Sequence, residues 1–122
     1  NHEGRIIDLL QAFGFGQAEG IILNAAGYSH TSVSIRDAIA AIETPVVEVH
    51  ISDIRKREPF RHTSMLTDVC AHTIIGHGLD GYRQAVDWLI SKCLHEKKVL
   101  HIIPFVTPLH PYGAEGNESA LY

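Results

Sequence analysis

Three groups of polar residues, each following an apolar segment, have side chains that could perform acid–base chemistry or bind an anion. They lie at residues 24–30, 48–61 and 76–78. Ligands of open α/β sheets bind beyond the carboxyl ends of the strands. The order of apolar and polar segments therefore predicts a cleft lined by these three groups.

His50 is the centre of the second group, at the end of an apolar segment that begins after Pro45. Alternation along a strand places Glu48, His50 and Ser52 on one side and the valines between them on the other. A carboxylate two residues from an imidazole can orient the ring and support its charged form, which suits a general acid. His50 could equally be a hydrogen-bonded histidine that caps the strand, and the residue types alone leave both interpretations open.

The residues after His50 form a basic loop that could bind an anion. The hydroxyl of Ser52 and the backbone N–H groups of Ile51 and Ser52 are expected to face the cleft. Arg61 could hold a carboxylate with them, since a guanidinium group matches a carboxylate in a bidentate manner. The alternative for such a run of positive charge is a solvated surface loop with no ligand.

Asn24 and His30 flank the start of a predicted helix. The unsatisfied N–H groups of a helix N-terminus attract anions or hydroxyl groups, so these two side chains could bind a ligand there. Asn24 could instead be a turn residue that satisfies local backbone groups.

The nine histidines raise the question of a metal site. They show neither an i, i+4 helical pair nor a Cys/His spacing, so a zinc or iron site is not expected. Residues 76–81 contain a GxGxxG pattern, but it follows the last predicted strand and lacks an acidic residue about 20 positions later in a following strand. A tight strand-to-helix turn is the better interpretation.

The elements that must position these residues alternate along the chain. Apolar periodicity predicts helices at about 4–13, from about 31, and at about 79–94, and strands at 20–24, 46–51 and 69–75. The buried stripe of the third helix is expected at Tyr82, Ala85, Val86, Leu89, Ile90 and Cys93. This alternation predicts an α/β protein with a parallel sheet covered on both faces, a flavodoxin-like three-layer sandwich.

Composition sets limits on the class of protein. Hydrophobic residues make up 45% of the 122 residues, and the formal net charge of -4 gives no reason to expect nucleic acid or a membrane surface as partner. Apolar runs are too short for a membrane span, and no signal peptide opens the sequence. Cys70 and Cys93 have no CxxC spacing and are predicted to be free buried thiols of a cytoplasmic protein.

The last part of the sequence differs from the rest. Residues 99–106 could form a strand, which Pro104 would confine to a sheet edge, and an irregular tail is expected from residue 107. We therefore predict an α/β domain at 1–95 and a divergent tail at 96–122, with 99–103 on a vacant sheet edge and Tyr112 or Tyr122 near the cleft.

Several sequence blocks, in this order and spacing, resemble type II 3-dehydroquinate dehydratase. They are NHEG at 1–4, ILN at 22–24, HTSVSIRD at 30–37, EVHISDI at 48–54, FRH at 60–62 and GHGLDGY at 76–82. The resemblance spans about residues 1–92. It implies a lyase that converts 3-dehydroquinate to 3-dehydroshikimate in the shikimate or quinate pathway, without a cofactor, by anti elimination through an enolate.

The resemblance also implies roles for individual residues. His50 would be the general acid that protonates the leaving hydroxyl, with Glu48 as its orienting partner. Asn24, His30 and Arg61 would bind ring hydroxyls, which replaces the carboxylate role suggested above for Arg61. Ile51 and Ser52 would bind the substrate carboxylate. Asp37 is expected to reach the pocket of a neighbouring subunit, because the family forms trimers that assemble into dodecamers.

Two departures from the family pattern stand out. The family's first strand, its lid with the proton-abstracting tyrosine and an arginine, and its second strand have no counterpart in these residues, so the sheet is expected to be truncated at its N-terminus. The turn after Asn24 also departs from the family's proline/glycine order, which is expected to shift a backbone contact at Ala26.

A non-catalytic relic or fragment that binds a cyclic polyol acid and oligomerises is the alternative function. A response-regulator-like signalling domain is disfavoured, because the acidic cluster it needs at its strand ends is missing.

Overall fold

The structure is a computed structural model that describes residues 2–93, with the side chain of Cys93 left out. The predictions made for residues 96–122, namely a separate tail, a strand at 99–106 and tyrosines near the cleft, lie outside the described residues.

The described residues form the three helices and three strands that the periodicity predicts, but only 3-10 turns separate the second strand from the third. In chain order they are α1 (Glu3–Phe13), β1 (Ile21–Leu23), α2 (Val33–Ala41), β2 (Val46–His50), β3 (His72–Ile75) and α3 (Asp80–Cys93). Short 3-10 turns occupy the connections, including Ala26–His30 before α2 and Thr67–Val69 before β3. The predicted α/β class is confirmed.

The strands form one parallel sheet in the order β1-β2-β3. Leu23 pairs with Glu48, and Glu48 pairs with Thr73, so the three strands end along one edge. Helices α1 and α2 pack on one face around Leu10, Ile35 and Val46, whereas α3 packs on the other. Helices on both faces of a parallel sheet give the three-layer sandwich of the flavodoxin-like class.

Two local features fix the helices against this sheet. Ser32 is the N-cap of α2: its Oγ accepts a hydrogen bond from the backbone N–H of Ile35 at 2.9 Å and donates one to Glu3 Oε2 of α1 at 2.5 Å. On the opposite face, a Cβ atom on Gly20 would lie 2.7 Å from both methyl groups of Leu89. Glycine at residue 20 therefore allows α3 to approach the start of β1.

Three predicted details differ from the structure. The third strand begins at His72 rather than residue 69, because Thr67–Val69 close into a 3-10 turn. Cys70 follows that turn and is free and partly buried, instead of fully buried in a strand. Ile90 is 44% exposed, so its assignment to the buried stripe of α3 was wrong. Leu89 occupies the position against the sheet.

Candidate active site

The carboxyl end of β2 carries an ionisable pair. Glu48 and His50 share one side of β2, as the alternation predicts, while Val47 and Val49 on the other side pack against α3. His50 Nε2 lies 2.6 Å from Glu48 Oε2, and the two side chains are only 4% and 1% exposed. The predicted pairing of carboxylate and imidazole is therefore present and almost fully enclosed.

Three hydroxyl groups also donate hydrogen bonds to Glu48. Ser64 donates to Oε2, while Thr67 and Thr73 donate to Oε1 at 2.8 Å and 3.0 Å. Burial alone would raise the pKa of this carboxyl group. The hydrogen bonds from His50, Ser64 and Thr67 and the charge of His50 outweigh burial and lower the pKa of Glu48 below its ordinary value. Glu48 is therefore an anion at neutral pH.

The ionised Glu48 determines the state of the His50 ring. A carboxylate can only accept hydrogen bonds, so His50 Nε2 must carry a hydrogen, and Nδ1 remains for other partners. His30 stacks beside this ring, with 6.3 Å between ring centroids. Its Nδ1 lies 2.9 Å from the carbonyl oxygen of Thr63. Because a carbonyl oxygen only accepts, His30 Nδ1–H is the donor, and its Nε2 remains for a ligand.

Asn24 follows β1 and has a fixed amide orientation. Its Oδ1 accepts a hydrogen bond from the backbone N–H of Ala26 at 3.0 Å, and its Nδ2 donates to the hydroxyl of Tyr82 in α3 at 3.0 Å. Ala26 has a φ of 54°, in the left-handed region that favours glycine. Burial raises the pKa of the Tyr82 hydroxyl, and the hydrogen bond from Asn24 opposes that rise. Asn24 is thus both a turn residue and a buried polar group at the strand end.

The predicted anion-binding loop is largely exposed. Arg57 Nη1 donates to Ser52 Oγ at 3.3 Å, so a guanidinium group lies beside the predicted carboxylate position. Arg61 instead donates through Nε to Glu58 Oε1 at 3.1 Å, and its guanidinium carbon lies 5.0 Å from the centroid of the Phe60 ring. Ile51 is half-buried, and its carbonyl oxygen accepts from the N–H of Gly78 at 3.0 Å.

The segment at residues 63–68 connects the two histidines to α2. The backbone N–H of Met65 donates to the carbonyl oxygen of Ser29 at 2.7 Å, next to His30. Arg36 of α2 donates to the Met65 carbonyl oxygen at 2.8 Å and forms a bidentate ion pair with Asp68. This segment therefore contacts both the turn that carries His30 and the carboxylate beside His50.

The structure thus brings together some of the predicted site residues in a single chain. Glu48 contacts His50, and His30 stacks on it. Asp37 is exposed on α2, where the resemblance predicts a contact with another subunit. Sequence reasoning missed two features, the hydroxyl donors around Glu48 and the contact of Tyr82 with Asn24, because these residues lie 16 or more positions from their partners.

Among residues 2–93, no group of three or more His, Cys, Asp or Glu side chains could hold a metal ion. No helix in this part of the chain is long and apolar enough to cross a membrane.

Comparison with known proteins identifies the family. The family model described as dehydroquinase class II matches residues 1–90, which is most of the chain. The chain belongs to the class II dehydroquinase family. It is 52% identical over 93 residues to a 3-dehydroquinate dehydratase of Campylobacter jejuni, a match that covers 76% of this chain and 58% of that protein. It is 56% identical over 92 residues to one of an Exiguobacterium species, covering 75% and 61%.

Solved structures of the family have the same fold. The type II dehydroquinase from Butyrivibrio crossotus matches with a TM-score of 0.71 and 47% identity, over 73% of this chain and 62% of that one. The enzyme from Propionibacterium acnes matches with a TM-score of 0.71 and 35% identity, over 75% and 66%. The chain therefore spans about three fifths of the length of the curated relatives named above.

Proposed function

We propose that this chain takes part in the dehydration of 3-dehydroquinate to 3-dehydroshikimate, with His50 as general acid. The observation that carries the proposal is the enclosed pair of Glu48 and His50, with 2.6 Å between Oε2 and Nε2, at the carboxyl end of a parallel strand. A buried carboxylate that accepts from one ring nitrogen stabilises the charged imidazole, which leaves Nδ1–H for donation to a leaving hydroxyl. The substrate is inferred from the relatives, which are named 3-dehydroquinate dehydratase.

Substrate binding is proposed for residues around this pair. Asn24, His30 and Arg61 would bind the ring hydroxyls, with His30 Nε2 and the remaining Nδ2–H of Asn24 facing the substrate. Ile51 and Ser52 would bind the carboxylate through backbone N–H groups and the serine hydroxyl. Arg57, which donates to Ser52 Oγ, supports that placement, because a cation beside the site favours an anionic group.

The reaction is a β-elimination that needs both a base and an acid. A base removes the proton from C2 and forms an enolate. The C–O bond of the leaving hydroxyl then breaks while the proton of His50 Nδ1 moves to its oxygen, and water departs. We infer that residues 1–95 supply the acid side of this reaction. The resemblance places the base, a tyrosine, on a lid segment to which no residue of this sequence corresponds.

The assembly and the setting of the enzyme are also part of the proposal. Asp37 is exposed on α2 and would contribute to the pocket of a second subunit in a trimer-based dodecamer. A cytoplasmic location fits Cys70, a free cysteine whose thiol pKa is raised to about 12 by burial and by the charges of Glu48 and Asp68. The shikimate pathway and quinate metabolism use the same reaction, so the proposal covers both.

Turnover is tested by the ultraviolet absorbance of the conjugated enone product after addition of 3-dehydroquinate. We expect slow product formation above background, with the base supplied from outside residues 1–95, that is lost in His50→Ala and retained in His72→Ala. His72 is a matched control, since it lies at the opposite end of β3 and stacks on Trp88 with 4.8 Å between ring centroids. An equal rate in wild type and His50→Ala would refute the acid role. Protection against thermal unfolding by 3-dehydroquinate without turnover would instead favour a chain that binds the substrate but does not convert it.

A further inference from the structure

The four hydrogen bonds to Glu48 occupy its whole acceptor capacity. An ionised carboxylate has about four lone-pair positions on its two oxygens. Here Oε2 receives His50 Nε2 and the Ser64 hydroxyl, and Oε1 receives the hydroxyls of Thr67 and Thr73. A proton on either oxygen would require one of these hydroxyls to turn and accept, or His50 Nε2 to lose the hydrogen that it donates. The geometry therefore favours the unprotonated carboxylate.

The hydroxyl donors come from three separate positions in the fold. Ser64 Oγ accepts from the backbone N–H of Leu66 at 3.1 Å, which orients its own hydrogen towards Glu48. Thr67 begins the 3-10 turn before β3, and Thr73 pairs with Glu48 in the register of the sheet. Each hydroxyl is therefore held by its backbone, so the carboxylate is fixed from the loop and from the neighbouring strand at once.

We infer that Ser64, Thr67 and Thr73 are positioning residues that hold Glu48 as an unprotonated carboxylate and thereby keep a hydrogen on His50 Nε2, so that Nδ1 is the ring nitrogen left to exchange a proton with the substrate. These three residues are called the hydroxyl cradle below. The inference deepens the proposed function and depends on it only for the identity of the substrate.

The cradle has a consequence for proton transfer. The three hydroxyl donors stabilise the negative charge of Glu48, which favours keeping the Nε2 hydrogen on His50 during the reaction. The proton given to the leaving hydroxyl comes from Nδ1: the Nδ1–H bond breaks, an O–H bond forms, and water leaves as the C–O bond breaks. His50 ends as a neutral ring with its hydrogen on Nε2. Glu48 acts through its charge and its position, not as a proton acceptor.

Other ionisable groups near Glu48 leave this assignment unchanged. Cys70 faces the carboxylate from the chain before β3, and its thiol is uncharged at neutral pH because its pKa is about 12. Asp68 is held by the bidentate ion pair with Arg36. His30 stacks on His50 but donates its Nδ1–H to the Thr63 carbonyl. His50 is thus the ionisable side chain that forms a direct hydrogen bond with Glu48.

The test is a pH titration of the Glu48 carboxyl carbon by 13C nuclear magnetic resonance, together with 15N shifts of the His50 ring. Thr73→Val keeps the shape of the side chain and its preference for a strand but removes one donor. We expect the proton affinity of Glu48 to rise roughly tenfold in this variant, since a hydrogen bond to a charged group is worth about one pKa unit or more. The neutral His50 ring should show more of the Nδ1–H tautomer. Thr67→Val, on an exposed turn, should shift the titration in the same direction.

Two controls separate positioning from general loss of structure. Thr73→Ser restores a hydroxyl and should return the titration to that of the wild type. Thr44→Val removes the hydroxyl of a buried threonine, which contacts the Phe13 and Ala18 carbonyl oxygens far from the site, and should leave Glu48 unchanged. The inference is overturned if Thr73→Val and Thr67→Val titrate like Thr44→Val. Because no substrate is needed, a wild type without turnover would refute the proposed function while leaving this result standing.

Discussion

Replacing Glu48 with glutamine would separate the charge of the buried carboxylate from its hydrogen bonds. The glutamine carbonyl can take the position of Oε2 and accept from His50 Nε2 and Ser64. Its amide nitrogen then takes the position of Oε1 and donates to Thr67 and Thr73, whose hydroxyls can turn to accept. All four hydrogen bonds are kept, and only the charge is lost.

The expected free-energy change follows from this count. A hydrogen bond to a charged group contributes about 1 kcal/mol more than a neutral one, so four of them lose ~4 kcal/mol. Because glutamine is neutral, the free-energy cost of burying a charge disappears, which restores several kcal/mol of stability. We therefore expect Glu48→Gln to lower the free energy of unfolding by only ~1 kcal/mol at neutral pH. Glu48→Ala leaves three hydroxyls and an imidazole facing a cavity and should lower it by roughly 3–5 kcal/mol.

The two variants should also differ from the wild type in their pH dependence. The pKa of Glu48 is lowered in the folded chain from the ordinary value of 4.5. Its stabilising contribution is therefore present above that value and is lost as the pH falls through the folded-state pKa. Glu48→Gln lacks this contribution, so its deficit relative to the wild type should shrink in acid.

Urea unfolding at neutral and acidic pH provides the assay. The single tryptophan, Trp88, reports on unfolding from the opposite face of the sheet, where it stacks on His72. Equal destabilisation by Glu48→Gln and Glu48→Ala would refute the hydrogen-bond argument. A Glu48→Gln deficit that does not change between the two pH values would refute the assigned ionisation.

Three further substitutions test local features of the fold by the same unfolding assay. Ala26→Gly should stabilise the chain by about 0.5–1 kcal/mol, because φ at this residue is 54°; no gain would mean that the turn adopts another conformation. Ser29→Ala should change stability by less than about 0.5 kcal/mol, since Ser29 Oγ is buried without a hydrogen-bond partner among the described residues; a large loss would reveal a partner. Gly20→Ala should destabilise by about 1–3 kcal/mol through the overlap with Leu89, and a neutral result would show that α3 can move away.

The sequence allowed prediction of those features that depend on local periodicity. Alternation with period two is enough to place Glu48 and His50 on one side of β2, and it excludes Val47 and Val49 from that side. The start of β3 was less predictable, because Val69, Cys70 and Ala71 are apolar enough for a strand. Residues 67–69 instead form a 3-10 turn whose first residue, Thr67, donates to Glu48. Local periodicity cannot predict that hydrogen bond, because its two residues lie 19 positions apart in the sequence.

The same limit explains the other differences. The buried stripe of α3 is centred on Ala85 and Leu89, four residues apart, so Ile90 at its margin projects beyond the sheet. Ser64 and Tyr82 contact the site across 16 and 58 residues of sequence, and only the folded chain brings them to Glu48 and Asn24. The roles of Arg61 and Asp37 remain predictions from the resemblance.

The central claim is that 3-dehydroquinate binds with its leaving hydroxyl at His50 and its carboxylate at Ile51 and Ser52. The most direct measurement is a titration of 15N-labelled chain with 3-dehydroquinate, followed through the His50 ring nitrogens and the backbone amides of Ile51 and Ser52. We predict saturable shifts at all three residues, with no change at the His72 ring. Shifts confined to other residues would contradict the account. The account would also fail if Ile51 and Ser52 shifted equally in wild type and His50→Ala while the His50 ring of the wild type did not respond.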